Sequence, residues 1–115
     1  MSQWKWNNVQ LQIDMNDADF IEKYENAFET LEQTEIKLQN IGKCSDFVRK
    51  YCTMFYQLFD DIFGQGTGQK LFEGKHNARI VEEAYDSFIA HVKKEVDAAN
   101  KQRFNNVKKY KVSRK

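Results

Sequence analysis

At 115 residues, 41% of them hydrophobic and 14% aromatic, the chain has enough apolar surface for one core and too much for a disordered polypeptide. A mean hydropathy of −0.78 and the lack of any long apolar run exclude a transmembrane span. The net charge of +1 conceals a polarity: residues 1–100 carry eleven Lys/Arg against seventeen Asp/Glu, whereas residues 101–115 carry seven Lys/Arg and no acid. Asymmetry of this kind marks an interaction segment or a solvated terminus rather than a determinant of the fold. The absence of proline and a charged content of 30% favour long, uninterrupted helices. Ser2-Gln3-Trp4-Lys5-Trp6 offers no apolar signal core, so a cytoplasmic protein without a membrane partner is expected. Cys44 and Cys52 are eight residues apart, which on a helix leaves them about 12 Å apart, too far for a disulfide.

In chain order, Val9, Leu11, Ile13 and Met15 alternate with polar residues, the period of a half-buried strand, and Trp4 and Trp6 upstream of Asn7-Asn8 offer it a hairpin partner. Asn16 or Asp17 is placed to cap a first helix over 18–40, with Phe20, Tyr24, Ala27, Phe28, Leu31 and Leu38 on one face and Gly42 as its stop. Ser45 is the expected cap of a second helix whose broad apolar stripe, from Phe47 through Phe59 to Phe63, predicts the centre of the core. Gly64 stands where a C-terminal glycine cap belongs, Thr67 begins a short turn carrying Leu71 and Phe72, and Gly74 ends it. Asn77 caps a third helix carrying Ile80, Val81, Ala84, Tyr85, Phe88, Ile89, Val92 and Val96, which is expected to fray into a basic tail near residue 105 or later. The predicted fold is mainly α: a three-helix bundle with a short N-terminal strand or hairpin and a glycine-rich turn between helices 2 and 3. One helical domain over residues 1–100 is followed by a basic tail over 101–115.

Four of the five glycines fall between Gly64 and Gly74 and invite a phosphate-binding interpretation. The spacing opposes it. Counting from Gly64, the places that a Walker loop reserves for Gly, Lys and Ser/Thr hold Gln69, Lys70 and Leu71. The dinucleotide fingerprint fails at the same Gln69 and follows a helix instead of a strand. Asp60 and Asp61, adjacent on a helix, diverge by about 100° and are expected to face solvent. His76 and His91 have no companion acid or cysteine at ligand spacing, so no metal and no cofactor are expected. Cys52 falls on the core stripe, where an inert thiol is the ordinary outcome. No catalytic residue is assigned, and the chain reads as a non-enzyme. Lys101, Arg103, Lys108, Lys109, Lys111, Arg114 and Lys115, interleaved with Phe104 and Tyr110, form the basic tail. It is suited to phosphates, although the acidic body opposes nucleic-acid binding; it is equally suited to folding back on the acidic first helix or meeting an acidic partner.

The run Phe59-Asp60-Asp61-Ile62-Phe63-Gly64-Gln65-Gly66-Thr67, then Leu71-Phe72-Glu73-Gly74, Asn77 and Glu83-Ala84-Tyr85-Asp86-Ser87-Phe88-Ile89, resembles a family of small proteins from long-tailed phages and prophages of Gram-positive bacteria. Those proteins share an F-D-x-x-F-G-x-G run, an aromatic-Gly turn and an E-A-Y-x-x-F helix; the acidic-aromatic opening at Asp19, Tyr24 and Phe28 also fits, so the likeness spans about residues 10–92. Its motif is built from core and cap residues: Phe59, Gly64, Gly66, Thr67 and Gly74. The resemblance implies a tail assembly chaperone encoded near the major tail protein and the tape measure protein; some related chaperones are extended by a translational frameshift. It implies the helical tape measure protein as partner, with the major tail protein and a second copy of the chain as further candidates. Phe63, Phe72 and Tyr85 are the residues expected to line the groove that holds a partner helix. The alternative is a small nucleic-acid-associated phage or cellular regulator acting through the basic tail.

Overall fold

The computed structural model describes residues 2–40 and 42–113. Asn7 and Asn8 both take left-handed backbone, with φ of 49° and 61°, the conformation of a two-residue type I′ turn. They join β1 (Ser2–Trp6) to β2 (Val9–Ile13) in an antiparallel hairpin that pairs Trp4 with Leu11 and Trp6 with Val9. The alternation therefore has a partner strand, and the pairing gathers both tryptophans with Val9, Leu11 and Ile13 on one face. β2 ends at Ile13, and Met15 is buried from the loop that follows rather than from the strand.

Helix α1 (Ala18–Lys37) begins at Asp17, whose carboxylate accepts the Asp19 N–H at 3.1 Å, and closes in a single 3-10 turn over Leu38–Asn40. Helix α2 (Cys44–Phe63) starts two residues earlier than expected: Lys43 occupies the cap position with no side-chain bond, so Ser45 is not the cap. Its buried residues are Cys52, Met54, Phe55, Leu58, Phe59 and Ile62, whereas Phe47, at the start of the predicted stripe, is 38% exposed. The glycine-rich segment contains a helix of its own, α3 (Thr67–Phe72), so the described chain has four helices rather than three. Helix α4 (Ala78–Ser113) shows no break at residue 105 and stays helical through the start of the basic stretch.

The core closes around Trp4. Its indole stacks on Phe59 at 5.5 Å and 13°, meets Phe88 at 5.3 Å, and donates its N–H to the Ser87 hydroxyl at 3.0 Å. Phe59, Phe88, Ile13 and Val81 are fully excluded from solvent. The N-terminal hairpin thus covers the seam between α2 and α4, and Ser2 reinforces it with a hydroxyl 2.6 Å from His91 Nε2. The 36 residues of α4 reach about 54 Å, which accounts for a molecule of 67 × 31 × 21 Å.

Candidate partner-binding site

The glycine segment holds the turn between α2 and α4 through contacts that its letters alone do not reveal. Gly64 and Gly66 take φ of 118° and 91°, Gly74 takes 74°, and the Gly64 N–H donates to the Asp60 carbonyl at 2.8 Å. Gly66, at the cap of α3, has no side chain to offer. Asp60 takes over from the preceding helix: its carboxylate accepts the Gly68 N–H at 2.8 Å, so it is half-buried and structural instead of solvent-facing. The N–H best placed to meet an added phosphate is thereby already bound to an internal anion. Thr67 donates its hydroxyl to the Gly64 carbonyl at 2.7 Å, and Asn7 donates its amide to the carbonyls of Leu71 and Lys70 at 3.2 and 3.4 Å. The hairpin turn and Asp60 thus serve the two ends of α3.

The three residues expected to form one partner groove are not brought together. Phe72 is 3% exposed and packs on Tyr56 and Phe59, which makes it core. Phe63 is half-buried against Phe20 and Phe88. Tyr85 is half-buried between Phe28 and Phe55 and opens on a cleft of about 240 Å³ whose rim carries Glu35, Glu82 and Asp86. Burial, then the Glu35 and Asp86 charges, raises the Tyr85 phenol above its ordinary range, and burial with the Glu82 carboxylate does the same to Tyr51 in that cleft.

The groove that the structure does present lies between α1 and α2. It holds about 410 Å³ over a floor of Ala27, Leu31, Leu38, Met54 and Leu58, and its walls are largely threonine. Thr34 and Thr53 donate their hydroxyls to the carbonyls of Thr30 and Arg49 at 2.9 and 2.8 Å, and Thr30 does so to Asn26 at 3.2 Å. With each hydroxyl spent on its own helix, the methyl group is what remains for the groove. Threonine at those positions reads as polar surface, which is why sequence periodicity missed the groove. Lys37, Lys50 and Asp61 stand at its edge.

The basic stretch divides into an anchored and a free part. Arg103 donates through Nη2 to the Met15 carbonyl at 2.7 Å and the Asn16 side chain at 3.3 Å, and through Nη1 to Asn100 at 2.9 Å, tying α4 to the start of α1. Lys101 and Lys108 are exposed, the latter with its ammonium 6.0 Å from the Phe104 ring. Lys109 and Lys111 lie in the last turns of α4, and Arg114 and Lys115 lie outside the described residues. Because α4 is continuous past Arg103, the described part of the stretch, to residue 113, does not fold back along the first helix.

Among the described residues no cluster of three or more His, Cys, Asp or Glu side chains is arranged to hold a metal, and no helix is long and apolar enough to cross a membrane. Ser2, His91 and Glu95 do converge, but the hydroxyl at 2.6 Å and the carboxylate at 3.9 Å both approach Nε2. A proton relay needs the two partners on different ring nitrogens.

A family model described as a family of unknown function, DUF6673, matches residues 7–115. The chain belongs to that family. The match takes in the hairpin turn, the glycine segment and all of α4, so the basic stretch is part of the unit that defines DUF6673. No curated protein and no solved structure matches this chain.

Proposed function

We propose that this DUF6673 chain is a non-enzymatic tail assembly chaperone that covers apolar stripes of a helical tape measure protein. The observation that carries the proposal is the α1/α2 groove. From Ala27 to Leu38 its α1 wall runs about 16 Å, or three helical turns, enough to receive anchors at i, i+3, i+4 and i+7 of a partner helix. An apolar floor with methyl-faced walls favours burial of such a stripe, and a rim of Lys37, Lys50 and Asp61 leaves both charge signs for its polar flanks. The resemblance of the Phe59–Thr67 run and the Glu83–Phe88 helix to phage tail assembly proteins supports the tape measure protein as the partner.

Co-expression with the tape measure protein of a neighbouring gene tests this. The wild-type chain is expected to hold the tape measure protein in the soluble fraction and to co-purify with it. Thr30→Arg with Thr53→Arg, both exposed and both on the groove wall, is expected to lose co-purification while keeping the wild-type circular dichroism spectrum. A tape measure protein that stays insoluble beside the wild type, or a double variant that co-purifies equally well, removes the proposal.

A further inference from the structure

Two exposed stripes of this molecule share a spacing and oppose each other in charge. On α1, Glu25, Glu29, Glu32 and Ile36 recur at intervals of four, three and four residues, on the side of the helix turned away from buried Ala27. All four are exposed, Ile36 at 65%. On α4, Lys101, Phe104 and Lys108 recur at intervals of three and four, on the side turned away from buried Val92 and Ala99. Phe104 is 68% exposed. Among the described residues, no ion pair engages Glu25, Glu29, Glu32, Lys101 or Lys108. Alternating steps of three and four are the spacing of a helix-pairing seam.

One antiparallel register joins the two seams. It sets Ile36 on Phe104 and Glu32 on Lys108, so the exposed apolar pair meets and the next rung is of opposite sign. Sliding by one turn instead sets Phe104 against Glu32 and Lys101 against Ile36.

The occupant cannot come from the same copy. Within one molecule α4 already runs antiparallel along the inner face of α1, with Tyr85 at Phe28, Phe88 at Tyr24 and Arg103 at Asn16. The unbroken helix therefore carries Phe104 past the N-terminal end of α1, whereas Ile36 lies near the C-terminal end. Nor do two such overhangs suit each other, since residues 101–113 carry five Lys/Arg and no acid.

We propose that the end of α4 from one copy docks antiparallel on the outer face of α1 of a second copy. The incoming α4 then runs parallel to the recipient's own α4, displaced by about 25 residues, on the order of 40 Å. A contact with that displacement is heterologous and does not close, so copies add head to tail. The seam lies on a different side of α1 from the threonine-walled groove and does not depend on what that groove binds.

Sedimentation velocity of the purified chain, from micromolar to millimolar concentration and at low and high salt, tests this. The expected mass rises above the 13.7 kDa monomer with concentration, passes the dimer without a plateau, and falls at high salt. Phe104→Glu, and separately Glu32→Lys, are each expected to weaken association by at least about tenfold. Adding Lys108→Glu to the second variant is expected to restore it. Circular dichroism confirms that each variant keeps its helix content. A monomer at every concentration in low salt, a plateau at dimer mass, a reversed-charge variant that stays dissociated, or association only with added oligonucleotide would each overturn the proposal. The Thr30→Arg, Thr53→Arg variant is expected to associate like the wild type, which separates this outcome from that of the tape measure experiment.

Discussion

Gly68 does something different from the other glycines of its segment. Gly64, Gly66 and Gly74 are needed for positive φ, but a Cβ on Gly68 would stand 2.8 Å from the Tyr56 Cα and 3.0 Å from the Tyr56 carbonyl oxygen. Those are backbone atoms of α2, and they cannot rotate aside as a side chain can. Gly68→Ala is therefore expected to push α3 off α2 and to cost about 1–3 kcal/mol, read as a lower midpoint in urea unfolding. Gly42→Ala, where an added Cβ meets nothing within 4 Å, is the control and is expected to stay within about 0.5 kcal/mol of wild type. Equal midpoints for the two variants would mean that α3 does not sit as close to α2 as the 2.8 Å contact requires.

The hairpin turn makes a prediction whose sign depends on which asparagine is changed. Both carry positive φ, which favours glycine, but only Asn7 also bonds the carbonyls of Leu71 and Lys70. Asn8→Gly is expected to raise stability by up to about 1 kcal/mol, because Asn-Gly is the preferred type I′ pair. Asn7→Gly gains the same backbone relief and loses the bonds at the end of α3, worth about 0.5–1.5 kcal/mol each, so it is expected to fall below wild type. Thermal melts of the two variants give the order. The asparagine pair illustrates what the sequence makes legible. Elements whose signal is local could be read from it: the 3.6 period of α1, α2 and α4, the alternation of β2, and glycine at Gly64 and Gly74. What failed depended on partners distant in sequence or on side-chain geometry. Asp60 looked like solvated charge because its acceptor role needs a helix that begins seven residues later. Ser45 had the right chemistry for a cap but lies inside α2. Phe72 looked available until Tyr56 and Phe59 covered it, and the groove was hidden because Thr30, Thr34 and Thr53 turn their hydroxyls inward on their own helices.

The three long helices are joined by one run of aromatic contacts: Tyr24 to Phe28 at 4.6 Å, Phe28 to Tyr85 at 6.2 Å, Tyr85 to Phe55 at 5.0 Å, and Phe55 to Tyr51 at 5.1 Å. This run couples the whole molecule to alkaline pH. Burial is the main cause that raises the phenols of Tyr24, Tyr51 and Tyr85; a charge on Tyr85 adds to it for Tyr24, the Glu82 carboxylate for Tyr51, and Glu35 with Asp86 for Tyr85. In the unfolded chain each phenol ionises near pH 10, before its folded counterpart does. The folded state then holds more protons, so the stability these residues contribute is complete below about pH 10 and is lost as pH climbs toward the raised folded values. The melting temperature is expected to hold steady up to about pH 9 and to fall beyond about pH 10. Burial, then the Glu82 carboxylate, raises the Cys52 thiol as well, so the wild-type curve alone does not isolate the tyrosines. Tyr85→Phe does, because it keeps the ring between Phe28 and Phe55 and removes the hydroxyl that faces Glu35 and Asp86. It is expected to melt within a few degrees of wild type near neutral pH and to lose less stability between about pH 9 and about pH 11. Parallel curves for the two proteins would place the alkaline sensitivity outside the aromatic run that joins the helices.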